Sequence, residues 1–299
     1  MCLAVSLLGG VVVFGIYSAA LLAIGGVGFT LQFGVTNVLN LSFGAILTSC
    51  IFVEYAVTGH STNLWLAMLV GGASGALISL LVGHVLVGAF LRRGATGFSI
   101  AMVTIALSLV VQFGLEAIQG PFILAFPANY GSGVKILGVV LSGEQLVTVA
   151  VAVVVMVGVH LLLRLTKLGL AMRATAADTS LTRNCGVSPA RTRAIAWLLS
   201  GALCGLCGVL LGIGEGSFSS STGSDFFITL AAAAVLGGIG KPYGAMVGSL
   251  VVGIVSQAAA AVISPSYKTI AAWVILIAVL VVRPQGIFAE FASERELVA

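Results

Sequence analysis

Few side chains in this sequence are equipped for covalent or acid–base chemistry, and those few do not stand at useful spacings. The histidines, His60, His84 and His160, are scattered and none neighbours a carboxylate, so no triad or metal spacing is spelled out. Cys204 and Cys207 form a C-x-x-C, but it lies inside an apolar run with no second cysteine pair or histidine to complete a zinc site. With Cys2, Cys50 and Cys185 they read as small hydrophobes rather than a disulfide framework. The run Gly237-Gly238-Ile239-Gly240-Lys241 resembles part of a phosphate loop and fails its pattern twice. Val235 stands where the first glycine belongs, and Pro242 where a hydroxyl must reach magnesium. No catalytic residue, metal or cofactor is expected.

Hydrogen-bonding chemistry is better represented. Gln32, Asn37, Asn40 and Ser42, followed by Gly44, are the densest polar cluster within an apolar region. Two readings fit. A helix broken there would expose its ends to the carboxylate or ammonium of a small solute, lining a translocation path. The same amides and hydroxyl would equally serve as hydrogen bonds between packed spans. The acids closest to apolar segments, Glu54, Glu116, Glu215 and Asp225, all fall near predicted span ends, which gives little encouragement to ion-coupled transport within this chain.

The elements around these residues follow from composition. Of 299 residues, 60% are hydrophobic and only 7% charged, against about 25% charged in a soluble domain. No Asp, Glu, Lys or Arg interrupts Met1 to Val53, Tyr55 to Leu91, Gln145 to Leu163, Ala194 to Gly214 or Pro242 to Tyr267. A helix needs roughly 20 apolar residues to cross a bilayer, and these runs are too continuous for the alternation of a barrel strand. The fold class is therefore all-α, a polytopic transmembrane helical bundle of 8 to 10 spans that includes broken or re-entrant helices. Residues 1–299 read as one transmembrane domain. The first apolar run has neither a basic leader nor a small-residue cleavage site, and reads as an uncleaved helix.

Charge placement orients the bundle. Arg164, Lys167, Arg173, Arg183, Arg191 and Arg193 crowd one hydrophilic segment whose single acid is Asp178, so residues 164–193 are expected in the cytoplasm. Arg92 with Arg93, and Arg283, mark two further cytoplasmic turns. Nine crossings satisfy these anchors, near Val5–Val27, Val35–Val57, Leu64–Phe90, Phe98–Gln119, Gln145–Leu163, Ala194–Gly214, Phe226–Gly240, Gly244–Ile263 and Thr269–Val282, with the N-terminus and the Pro121 to Glu144 loop outside. Glycines recur four apart at Gly201 and Gly205, Gly208 and Gly212, and Gly244 and Gly248. These small-xxx-small seams are expected to pack helices within one bundle. The net charge of +4 is ordinary for cytoplasmic loops and implies no nucleic-acid partner.

Four segments, in this order and spacing, resemble the permease family of branched-chain amino acid ABC importers over nearly the whole chain. Gly10 to Gly44 is similar to the family's opening helix and its F-G-V-x-N-x-x-N segment. Thr166 to Gly186 resembles its cytoplasmic loop. Leu236 to Ala245 (L-G-G-I-G-K-P-Y-G-A) and Arg283 to Phe288 (R-P-Q-G-I-F) resemble its two C-terminal signatures. One departure is Phe43, which replaces a histidine often found in N-F-A-H-G. Relatives import urea, short amides or other amino acids, so the solute class stays open at this point.

The resemblance implies a second permease subunit, two cytoplasmic ATPase subunits, an external solute-binding protein and a bacterial inner membrane. Within the loop, Leu168, Gly169, Ala171, Met172 and Ala174 offer a short apolar face, and Lys167, Arg173, Asp178 and Arg183 offer solvated contacts. Leu168, Gly169, Arg173, Asp178 and Gly186 are thus candidates for coupling to the ATPase through a helix docked in a groove. A self-sufficient carrier or channel is the alternative, and a membrane-embedded enzyme a third class. The topology has a direct check. A cysteine placed at Ser180, in a cysteine-free background, should react with an impermeant thiol reagent only from the cytoplasmic side; reaction from outside intact cells would invert every assignment above.

Overall fold

The computed structural model describes residues 2–58, 63–126, 134–136, 139–262, 264 and 267–282. His60, Pro127, and Arg283 with the segment to Phe288, lie outside the described residues. The helices are α1 (Cys2–Thr36), α2 (Phe43–Thr58), α3 (Leu64–Leu81), α4 (Gly88–Arg92), α5 (Gly97–Gln119), α6 (Gly143–Leu165), α7 (Lys167–Ala177), α8 (Thr179–Asn184), α9 (Pro189–Glu215), α10 (Thr222–Gly237), α11 (Pro242–Val262) and α12 (Tyr267–Val282). One π-helical stretch, Val82–Val87, joins α3 to α4, so that Leu64–Arg92 runs as a single rod. Two short antiparallel pairs complete the fold: β1 (Leu124–Ala125) with β4 (Ser217–Phe218), and β2 (Val134–Ile136) with β3 (Val139–Leu141).

The expected all-α membrane bundle is what forms. Among the described residues, 6 helices are long and apolar enough to cross a membrane, and three shorter apolar helices lie at Phe43–Thr58, Thr222–Gly237 and Ile270–Val279. The long spans divide by burial. The apolar windows of α1 and α9 are 61% buried, whereas that of α6 is only 11% buried. The first two form the centre, against which α2, α3, α10 and α11 pack, and α6 turns most of its apolar surface outward, as lipid contact requires.

The boundaries differ from expectation at the first two spans. Instead of ending near Val27, α1 continues to Thr36, and α2 starts only at Phe43. Gly28, just past the expected end, is a packing position. A side-chain carbon on Gly28 would press on the Ser200 carbonyl and Leu203 of α9. The chain breaks later, at Asn37, the one described non-glycine residue with a positive φ, 52°. Asparagine tolerates that left-handed conformation better than most residues.

Lipid offers little apolar drive for helix association, so close backbone approach has to hold the spans together. Gly71 and Gly75 of α3 meet Gly201 and Gly205 of α9 so closely that a Cβ on Gly75 would strike the Gly201 carbonyl, and one on Gly201 the Gly75 carbonyl. Gly208 abuts Leu47 of α2, Gly212 abuts Ile51, and Gly244 faces Gly237 reciprocally at the α10–α11 corner. All three glycine pairs read from the sequence are thus taken up by helices of the same chain.

These contacts separate two substitutions of the same chemical kind. Gly75→Ala should lower the thermal midpoint in detergent, because forced overpacking costs about 1–3 kcal/mol. Gly114→Ala, where no atom lies within 4 Å of the added carbon, should stay within about 0.5 kcal/mol of the parent.

Candidate functional site: the interrupted helix and the short-helix pair

The break between α1 and α2 lies deep in the bundle. Its polar groups meet Ser200, which stands 11 residues beyond Pro189 at the start of α9, or about 16 Å along that helix at 1.5 Å per residue. That is roughly half of a hydrocarbon core about 30 Å thick. The 16 residues of α2 give about 24 Å of helix, so α2 begins far inside the bundle and runs toward the end opposite α7.

Each backbone group released by the interruption needs a partner there. The Thr36 hydroxyl donates to the Gln32 carbonyl at 2.7 Å and accepts the Val38 N–H at 3.3 Å. Asn37 N–H donates to the Phe33 carbonyl at 2.7 Å. Leu41 N–H reaches across to the Thr104 hydroxyl of α5 at 3.2 Å. Asn40 Oδ1 accepts both the Ser42 N–H, at 3.2 Å, and the Ser42 hydroxyl, at 2.6 Å. The Ser42 carbonyl then accepts Ile46 N–H at 3.0 Å, opening α2.

Side chains tie this knot to the rest. Gln32 Oε1 accepts from Asn40 Nδ2 at 3.4 Å and from the Ser200 hydroxyl at 3.0 Å. Gln32, Asn40, Ser42 and Ser200 are all buried, and Gln32 Nε2 is left with no partner. An unsatisfied buried donor is costly, so this amide nitrogen is the group in the cluster with hydrogen-bonding capacity to spare. Phe43 packs edge-on to Phe29 at 5.6 Å, and Phe227 of α10 contacts Phe29 edge-on at 5.5 Å. At Gly44 a side chain would press on Gly223 and Phe227. The Gly223 N–H donates to the Thr48 hydroxyl at 3.0 Å, locking the start of α10 onto α2.

Of the candidate path residues, the structure therefore brings Gln32, Asn40 and Ser42 together, puts Gly44 one turn away, and leaves Asn37 apart and exposed. Ser200 and Thr104 complete the cluster and were not legible beforehand. Each is a lone hydroxyl in an apolar span, a type that commonly bonds only to its own helix. Glu54 is buried near the end of α2, with Oε1 accepting the Thr58 hydroxyl at 2.8 Å.

The second candidate region, residues 164–193, folds as two short helices. Thr166 caps α7 by accepting Gly169 N–H at 3.1 Å. Gly169 lies flush against the backbone of Leu162 and Leu163 in α6, where a Cβ would collide. Met172 and Thr175 are buried beside it, so Gly169 and Met172 face the bundle. The outward apolar surface is formed by Leu168, Leu170 and Leu181, with Arg173 exposed beside them.

Asp178 caps α8, its Oδ1 accepting Ser180 N–H at 2.7 Å, the Ser180 hydroxyl at 2.6 Å and Leu181 N–H at 3.1 Å. The Ser180 hydroxyl and the two N–H groups hold its carboxyl below the usual carboxylate range. Gly186, with φ of 81°, reverses the chain after α8. Among the described residues, no group of three or more His, Cys, Asp or Glu could hold a metal ion.

Comparison with known proteins points in one direction. The family model described as branched-chain amino acid transport system / permease component matches residues 11–280. The chain is 30% identical over 276 residues to the high-affinity branched-chain amino acid transport system permease protein BraD of Pseudomonas aeruginosa, covering 87% of this chain and 89% of the relative. It is 27% identical over 283 residues to the corresponding LivH protein of Escherichia coli, with coverage of 87% and 89%. A probable LivH permease of Methanocaldococcus jannaschii is 27% identical over 300 residues, covering 91% of this chain and 89% of the relative. No solved structure gives a significant match. A family model that spans nearly the entire bundle, interrupted helix and short-helix pair included, places the chain in the family of permease components of branched-chain amino acid transport systems.

Proposed function

We propose that this chain forms one half of the translocation path of an ABC importer for branched-chain amino acids in a bacterial inner membrane. In this reading a second permease subunit supplies the other half, two cytoplasmic ATPase subunits supply energy, and an external solute-binding protein delivers cargo. Relatives named as branched-chain amino acid permeases support the solute class. The observation that carries the reading is the α7–α8 pair. Two short capped helices present Leu168, Leu170 and Leu181 outward beside Arg173, while Gly169 and Met172 anchor them to α6. An apolar, basic projection rigidly joined to a transmembrane helix suits docking in a groove of a partner and passing its motion to the span behind.

The roles divide accordingly. Leu168 and Arg173 contact the ATPase, Gly169 seats α7 on α6, and Asp178 and Gly186 fix the geometry of α8. At the other site Gln32, Asn40 and Ser42 border the solute path near the membrane centre, Gly44 lets α10 close against α2, and Asn37 turns the chain. The unpartnered Gln32 amide supports a role beyond packing.

Reconstitution decides the class of function. Vesicles holding the permease pair, ATPases and binding protein should take up leucine only with ATP; uptake by this chain alone would make it a carrier. Gly169→Leu should abolish uptake at near-normal membrane insertion, and normal uptake by that variant would remove α7 from the coupling role.

Asn40→Ala separates path from packing. Lost interhelical bonding costs about 0.6 kcal/mol on average and would reduce folded yield only. A path role requires altered uptake or selectivity per folded complex, and an unchanged rate would leave the cluster as packing. Asp178 supplies a pH-dependent cap. Because its folded pKa is depressed, α8 is stabilised above the unfolded carboxylate pKa and loses that stabilisation as pH falls through the lowered folded value. Asp178→Ala should therefore weaken ATPase co-purification at neutral pH and remove its acid sensitivity.

A further inference from the structure

The end of the bundle opposite α7 and α8 carries a cavity of about 240 Å³ lined by residues from α1, α9, α10, α11 and α12. By the charge-based topology it lies on the extracytoplasmic side. Its lining has a mixed character that the interrupted helix lacks. Glu215, Asp225 and Lys268 share the cavity, and Glu215 lies within electrostatic reach of both Lys268 and Asp225. Tyr17 is part of the lining, and its hydroxyl is buried with no hydrogen-bond partner. That hydroxyl lies against Gly214, where a side chain would displace it. Leu211 and Phe226 contribute apolar wall.

Each class of small ligand can be weighed against this lining. A bare metal cation is disfavoured by the Lys268 ammonium, and a bare anion by two carboxylates. An uncharged aliphatic molecule would fill the space without offering a hydrogen bond to the carboxylates or the Lys268 ammonium. A water takes about 30 Å³ of liquid volume, so the space admits several waters or one small organic molecule. A zwitterion with an apolar tail satisfies every part of the wall at once.

We propose that this cavity holds one zwitterionic amino acid with an aliphatic side chain within a single permease chain. Its carboxylate bonds Lys268 and the Tyr17 hydroxyl, its ammonium sits by Glu215 and Asp225, and its side chain lies against Leu211 and Phe226. The inference rests on the reading of the chain as an amino-acid permease and adds a holding site apart from the Gln32, Asn40 and Ser42 cluster.

The test is equilibrium binding of radiolabelled L-leucine to the full chain in lipid nanodiscs, without ATPase, nucleotide or binding protein. Saturable binding of one leucine per chain is expected. L-Leucinamide, which lacks the carboxylate, and 4-methylpentanoate, which lacks the ammonium, should each compete roughly tenfold more weakly, because each forfeits charge-assisted bonds. Tyr17→Phe should weaken leucine severalfold. Lys268→Gln should weaken leucine while leaving leucinamide unchanged, a pattern that misfolding does not produce. Absence of saturable binding, which would leave a cavity holding water only, overturns the proposal. So does equal affinity of the parent for leucine and leucinamide, or leucine binding indifferent to Lys268→Gln. These outcomes are distinct from failure of the permease reading, which would appear as no ATP-driven amino-acid uptake by the assembled transporter.

Discussion

Water is scarce in the middle of a bilayer, so every backbone N–H and C=O freed where α1 stops and α2 starts has to find its partner in the protein. Most of the architecture near the centre follows from that constraint. Thr36, Asn40 and Thr104 serve released backbone N–H groups in turn, and the Ser42 hydroxyl braces Asn40. Gln32 and Ser200 then fasten the side chains that do so. Because an unpaired buried polar group costs on the order of 1–3 kcal/mol, the interruption is tolerable only with α5 and α9 in place. The break therefore fixes the arrangement of helices around it.

Glycine makes that arrangement possible. Without an apolar drive between spans, α9 can stand next to α3 only if backbone meets backbone, as it does at Gly75 and Gly201. The same economy at Gly44 and Gly223 lets α10 reach the start of α2. There the Thr48 hydroxyl accepts the Gly223 N–H. At the far end an aromatic cluster takes over: Phe218 lies 4.9 Å from Phe126 and 5.1 Å from Phe52. The short β1–β4 pairing fixes Phe218 in place. One end of the molecule is thus braced by rings, the middle by glycines and hydroxyls, and the basic end by the capped pair α7 and α8.

Much of this was legible in the amino-acid sequence, for definite reasons. Long uncharged runs specify membrane helices whatever their tertiary partners, because the bilayer is their solvent. The interruption near Asn37 and Asn40 was visible because amides are rare in such runs, but its position was not. The first helix runs on past Gly25, Gly26 and Gly28, which pack against α9, α10 and α11, contacts that only the folded bundle supplies. Nothing local in the sequence marks Ser200 and Thr104, because their partners lie 168 and 63 residues away in the chain. Leu168, Gly169, Ala171, Met172 and Ala174 read in sequence as one short apolar face, whereas helical phase divides them. Gly169 and Met172 turn inward while Leu168 turns out. The cavity with Glu215, Asp225 and Lys268 needed four separate helices to be placed before its residues could be seen as neighbours of Tyr17.

The central claim is that the interrupted helix borders the route of the solute, and accessibility during turnover tests it most directly. Ser42→Cys, in a background with Cys2, Cys50, Cys185, Cys204 and Cys207 replaced, is treated with a small impermeant thiol reagent in the assembled transporter. Ser42 is fully buried in the structure, so the resting complex should label slowly, and ATP with leucine should raise the rate about tenfold or more, with excess leucine protecting. A cysteine at this position that stays unlabelled through rapid transport would contradict the claim and leave the break as a structural joint.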